Sequence, residues 1–150
     1  MRESFQAITR SFGLLNKICC SVDGIDVTAV QSHILYEIDT NDNPSMQQVA
    51  DLLGIDITTF SRQIQTLVKM ELVEKIPSKE DKRASNLALT EKGDKVAKGI
   101  DKQVNEFLTD IFSRMTDFER ETAQRAVNLI ADVMTKSPLC CGGNKENTSG

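Results

Sequence analysis

The chain has no tryptophan, one tyrosine and one histidine. A single His leaves general acid–base chemistry and mixed His/Cys zinc sites thinly supplied. There is no glycine-rich phosphate loop, no Ser-His-Asp set with a second His, and no convincing carboxylate cluster, so the chain is not expected to be an enzyme. Three prolines and eight glycines are few for 150 residues, and long proline-free stretches favour helices. No run approaches the roughly 18 apolar residues that a membrane span needs. The opening MRESFQAITRSFGLL has no apolar block leading to a small-residue cleavage site. No membrane partner is therefore expected, and the expected location is cytoplasmic, where thiols stay reduced.

Cationic charge is also short overall, at net -4, which by itself argues weakly against a nucleic acid partner. The distribution tells more. Residues 61–95 hold 8 Lys/Arg against 6 Asp/Glu, while the remainder holds 10 against 16. One face can therefore meet phosphates while the rest stays acidic.

Hydrophobic spacing organises what is present. Phe5, Ile8, Phe12, Leu15 and Cys19 recur at three and four, predicting a first helix over about 3–20 that Asp23-Gly24 breaks. A second helix is predicted from Thr28, burying Val30, Ile34, Leu35 and Ile38, and ended by Asn41-Asp42-Asn43-Pro44. Ser45 with Gln48 reads as a capping box for a short helix that buries Val49, Leu52 and Leu53. Gly54 supplies a turn, and Asp56 or Thr58 caps a fourth helix that buries Ile57, Phe60, Ile64, Leu67 and Val68. Leu72–Ile76 and Asn86–Thr90 flank a polar segment and read as a β-hairpin with a charged tip. Two long helices follow. The first carries Val96, Ile100, Val104, Phe107, Leu108, Ile111 and Phe112; the second runs from Phe118 to Met134 and is stopped by Pro138. The tail CGGNKENTSG is expected to lack a core.

This order is that of a winged helix-turn-helix, in which a short helix braces a second one whose outer face enters the major groove of DNA. Small Ala50 fits a close helix approach. The outer face of the fourth helix is expected to carry Thr58, Thr59, Ser61, Arg62, Gln63 and Gln65. Arg can hold guanine, Gln can pair with adenine, and hydroxyls reach bases or phosphates. No acidic residue lies between Ile57 and Met70. In the segment KEDKRASNLALT, Arg83 is the expected minor-groove probe, Asp81 its orienting partner, and Lys79 and Lys82 the phosphate contacts. Leu87 and Leu89 would anchor this wing to the core.

The run DITTFSRQIQTLVKMELVEKIPSKEDKRASNLALTEKG, residues 56–93, resembles the DNA-binding lobe of MarR-family transcriptional regulators. The resemblance is carried by Leu67 with Leu72-Val73-Glu74, by Glu80-Asp81-Lys82-Arg83-Ala84, and by Leu89-Thr90-Glu91-Lys92-Gly93. Upstream, Val27-Thr28, Gln31 and Ile34-Leu35 match the family's second helix. The resemblance implies a mainly α fold of six helices plus a two-stranded β-hairpin wing. It also implies a homodimer interlocked through its first, fifth and sixth helices, with two recognition helices in successive major grooves of a pseudo-palindromic operator. The expected organisation is dimerisation helices at 1–24 and 94–137, a DNA-binding lobe at 26–93, and a flexible Cys-containing tail at 138–150. The chain departs from the family at Glu71, where Gly usually ends the recognition helix and where an altered helix end is therefore expected. It departs again at Lys75, in place of a common Arg.

The four cysteines fall as two adjacent pairs, Cys19-Cys20 and Cys140-Cys141. A structural disulfide framework does not suit a cytosolic chain of this size. Adjacent thiols suit soft ions, so the pairs are read as a sensor for a thiophilic metal or metalloid: arsenic or antimony through one pair plus a further sulfur, copper(I), or an all-Cys zinc site. Bridging them would release a repressor dimer from its operator. Two alternatives stay open: thiol oxidation by peroxide, as in OhrR-like members of the family, and a winged-helix protein-interaction adaptor. No cofactor is expected to be required for DNA binding.

Overall fold

Three helix starts are written in the sequence as reciprocal caps. Thr28 accepts from the Gln31 amide while the Gln31 side chain accepts from the Thr28 amide. Ser45 with Gln48 and Thr116 with Glu119 repeat the arrangement. Each box satisfies two amides that a helix N-terminus otherwise leaves open. These backbone bonds, then the Thr116 hydroxyl, hold the Glu119 carboxyl below the ordinary carboxylate range. The first box also helps explain why a glutamine is buried: Gln31 spends its side-chain oxygen on the cap.

The computed structural model describes residues 1–11, 18–78 and 85–136. In chain order the elements are α1 (Arg2–Ser11), β1 (Cys20–Val22), β2 (Ile25–Val27), α2 (Ala29–Thr40), α3 (Met46–Leu53), α4 (Ile57–Lys69), β3 (Val73–Pro77), β4 (Ser85–Leu89), α5 (Glu91–Ser113) and α6 (Asp117–Thr135). The fold is the expected mainly helical one: the described residues form six helices, with an antiparallel hairpin β3–β4 in the register Val73–Leu89 to Pro77–Ser85. Among the described residues no helix is long and apolar enough to cross a membrane.

Two compact units divide after Asn105. The first has one apolar cluster. Ile34 and Leu35 of α2, Val49 and Ala50 of α3, and Phe60, Ile64 and Leu67 of α4 join Leu72, Leu87 and Val96, all buried. Burying each large aliphatic side chain contributes about 1.5–3 kcal/mol, so this cluster is what fixes α4 on α3. Ala50 is fully buried, and Gly54 caps α3 at φ 64, a left-handed conformation that glycine adopts without strain. The Leu87 amide donates to the Pro44 carbonyl at 2.9 Å, which ties β4 to the lead-in of α3. In the second unit α6 buries no residue, and Arg120 Nε donates to the Phe112 carbonyl.

Several expectations need correction. The first helix does not run to 20. Asp23 and Gly24, at φ 51 and 78, close a two-residue hairpin turn that draws Cys20–Val22 into a ladder with Ile25–Val27. The Cys19 amide extends that ladder by donating to the Val27 carbonyl. Phe12 and Leu15 lie outside the described residues. Val30 is exposed because it sits about a quarter-turn off the face that carries Gln31, Ile34, Leu35 and Ile38. Leu52, 62% exposed, faces away from Val49, Ala50 and Leu53 for the same reason. Ile57 and Val68, at 44% and 39% exposure, are shoulders of α4 and not its core.

Candidate nucleic-acid interface

Helix α4 opens with Asp56, whose side chain accepts from the Thr59 amide at 2.9 Å. Of the two caps read from sequence, Asp56 is the one used. The Thr59 side-chain and backbone hydrogen bonds hold its carboxyl below the ordinary range, and the charge of Arg62 adds to this. Phe60, Ile64 and Leu67 turn inward. At about 100° per residue the opposite direction belongs to Thr58, Arg62, Gln65 and Lys69, all exposed. Thr59 is also exposed, while Ser61 and Gln63 lie half-buried on the flanks.

The outer stripe is therefore narrower than the expected set and one turn longer. Sequence reading missed Lys69 and the exposed Thr66, whose hydroxyl donates back to the Arg62 carbonyl. Extending the periodicity one turn past Gln65 was the available signal. Of the wing residues, Lys79, Glu80, Asp81, Lys82 and Arg83 lie outside the described residues. Their supporting strands are described: Leu87 is fully buried and Leu89 packs half-buried against the core, as expected of anchors.

The C-terminal end of α4 corrects a second expectation. Glu71 does take the left-handed position, at φ 61. Its amide donates to the Val68 carbonyl, and the Leu72 amide reaches the Leu67 carbonyl at 3.0 Å. This bond pair is that of a full Schellman motif, built here without glycine. The reason lies in the chain that crosses this end. The Thr90 hydroxyl donates to the Glu71 carbonyl at 2.6 Å, and Lys92 Nζ donates to the Met70 carbonyl at 2.8 Å. The Thr90 amide donates to the Leu72 carbonyl at 3.1 Å. Thr90 also accepts the Gly93 amide, so one hydroxyl both starts α5 and holds the end of α4. A side chain at Gly93 would place its Cβ 1.8 Å from the Leu72 carbonyl oxygen. The motif Thr90-Glu91-Lys92-Gly93 is thus a clamp on the three residues that follow α4.

The cysteines are only partly in view. Cys19 and Cys20 are half-buried, with Sγ atoms 2.9 Å apart. Burial first, then the hydrogen bond and charge of Cys19, pushes the Cys20 thiol up to about 12. Among the described residues no third Cys, His or carboxylate completes a metal site with them. Cys140 and Cys141 lie outside the described residues.

A short helix bracing a second, a hairpin following it, and a polar, carboxylate-free outer face between capped ends together define a winged helix-turn-helix. The sequence profile of the MarR family matches residues 27–85. The HTH-type transcriptional regulator YybA of Bacillus subtilis (strain 168) is 27% identical over 120 residues, 77% of this chain and 80% of that protein. A MarR transcriptional regulator from Methanosarcina mazei Go1 superposes with a TM-score of 0.65 at 26% identity, over 73% of this chain and 79% of that one. FabT of Streptococcus pneumoniae, solved in complex with DNA, shares the fold at a TM-score of 0.80 and 16% identity, over 90% of this chain and 95% of that one. Residues 27–85 thus match the MarR family, and the chain shares the winged helix-turn-helix fold of MarR transcriptional regulators.

Proposed function

We propose that the protein is a sequence-specific DNA-binding repressor that acts as a homodimer on a pseudo-palindromic operator, and that it is a regulator rather than an enzyme. The observation that carries this is the outer stripe of α4: exposed Thr58, Arg62, Gln65 and Lys69, with no carboxylate among them, on a helix fixed at both ends. Arg62 suits guanine, Gln65 suits adenine, and Lys69 and the hydroxyls suit phosphates. Thr59, Ser61 and Gln63 border the stripe. Lys79, Lys82 and Arg83, with Asp81 orienting Arg83, are read as the wing's contacts to the backbone and minor groove.

A second copy of this chain is the natural cover for the apolar side chains that α6 leaves exposed, Leu129, Ile130, Val133 and Met134 among them. Exposed apolar clusters of this kind mark interaction surfaces. Thiophilic ligands at the cysteine pairs are read as the signal that releases the operator, since a ligand favouring one dimer geometry shifts the DNA-binding equilibrium.

The test is fluorescence anisotropy with labelled duplex from upstream of the protein's own gene, at several salt concentrations. Tight binding that weakens steeply with salt is expected, and Arg62→Ala should cost about 1–3 kcal/mol with relaxed base preference. Binding that ignores sequence, or no binding, would refute the reading in favour of a protein-binding adaptor.

A further inference from the structure

We propose that Cys19 and Cys20 form a self-sufficient two-sulfur site that captures a monosubstituted trivalent arsenical, seated on a strand that bears on α5. The two sulfurs lie 2.9 Å apart. That is close enough to converge on one soft atom and well beyond the about 2.05 Å of a disulfide. Joining them directly is disfavoured by the backbone. Neighbouring Cα atoms are about 3.8 Å apart, short of the roughly 4.4–6.8 Å that disulfides span. An inserted arsenic atom lengthens the bridge and removes that conflict. An arsenical bearing one carbon substituent needs two sulfurs, so the lack of a third donor among the described residues suits it better than an ion that needs three or four. The chemistry balances without an oxidant. Both S–H bonds break, two S–As bonds form, and the arsenic-bound oxygen leaves as water with both protons while arsenic stays trivalent.

The site has a mechanical connection to the rest of the first unit. Cys20 is in β1, and the next residue, Ser21, offers its carbonyl to Gln103 Nε2 of α5 at 2.8 Å. Val22 packs against Gly99 so closely that a Cβ there would lie 2.6 Å from Val22 Cγ1. Helix α5 begins in the clamp on α4. A change in the shape of residues 19–20 therefore bears on the helix that holds the proposed recognition element. This regulatory part rests on the DNA-binding reading above.

The experiment treats full-length protein with one equivalent of phenylarsine oxide, removes loosely held reagent with glutathione, and measures intact mass. The Cys140→Ser/Cys141→Ser variant should retain one phenylarsenic group per chain, released by dimercaptopropanol. Adding Cys19→Ser or Cys20→Ser should abolish retention. Cys20 packs against the core, so Cys19→Ser, with circular dichroism as a folding check, decides the matter if the Cys20 variant misfolds. No retention by the tail variant, or undiminished retention after Cys19→Ser, would overturn the site. In a second arm the adduct should weaken operator affinity at least 10-fold. Unchanged affinity would overturn the regulatory part, whereas a parent protein that binds no DNA would fail the functional reading and leave the mass measurement to decide the site.

Discussion

Replacing Gly93 by Ala tests the clamp directly, because it reverses the usual sign. Within a helix, Gly→Ala normally stabilises by about 1 kcal/mol through propensity and unfolded-state entropy. Gly93 is the third residue of α5, and a Cβ there would meet the Leu72 carbonyl oxygen at 1.8 Å and its carbon at 2.8 Å. A carbon approaches a carbonyl oxygen no closer than about 3.3 Å without repulsion, so backbone must move by about 1.5 Å. Neither side can yield alone. The Leu72 carbonyl accepts from Thr90, the Leu72 amide closes the Schellman motif, and the Gly93 amide is committed to the Thr90 hydroxyl. Overpacking of this kind costs about 1–3 kcal/mol, and each hydrogen bond disturbed adds about 0.5–1.5 kcal/mol. A net loss of about 2–4 kcal/mol is expected. Urea unfolding at a fixed protein concentration, which the proposed dimer requires, measures it. An Ala variant as stable as the parent, or about 1 kcal/mol more stable, would refute the clamp.

Further substitutions probe the same logic. Gly99→Ala meets only the Val22 side chain, at 2.6 Å, so it should cost less than Gly93→Ala, about 1 kcal/mol; the order of urea midpoints checks this. Glu71→Gly removes a side chain from a left-handed position and should stabilise by about 0.5–1 kcal/mol, giving up only an exposed 3.4 Å pair with Lys92; a lower melting temperature would contradict it. Leu67→Ala, at a fully buried site, should cost about 2–5 kcal/mol by thermal or urea unfolding. Asp56 has a depressed carboxyl pKa in the fold. Its stabilisation is full above the ordinary carboxylate range and is lost as pH falls through the lowered folded-state value. Asp56→Asn keeps a capping acceptor and should flatten that acid limb of the stability curve; an unchanged slope would remove Asp56 from it.

The sequence revealed most where one local rule sufficed. Thr28 with Gln31 and Ser45 with Gln48 are capping boxes on sight, and the 60–64–67 spacing gives the inner face of α4 directly. It misled where two local rules competed. The stripe through Phe5, Ile8 and Cys19 is helical in period, yet Asp23-Gly24 is a strong hairpin signal, and pairing with Ile25–Val27 takes Cys20 from the helix. Shoulder residues such as Val30 and Leu52 were unreadable for a different reason: apolar identity says nothing of the direction a helix face finally points.

Glu71 shows the deeper limit. Local preference asks for glycine after α4, and by that rule alone the helix end should have changed. Three donors from residues 90–92 nevertheless reach the Met70, Glu71 and Leu72 carbonyls, and together they exceed the roughly 1–2 kcal/mol that a left-handed non-glycine residue costs. Those donors come from some twenty residues further along the chain, where local propensity does not look. The two ends of α4 are therefore held differently. The Asp56 cap is local and travels with the helix, whereas the Schellman end is bonded to the start of α5. Any displacement of that start must carry the end of α4 with it or break those bonds. Lys92→Met keeps the aliphatic stem but removes the donor to Met70, so it should loosen this coupling without the steric clash of Gly93→Ala. Faster amide hydrogen exchange at Met70–Leu72, with unchanged exchange at Thr59, is the expected signature. Equal protection in both proteins would show that the lysine bond does not hold this end.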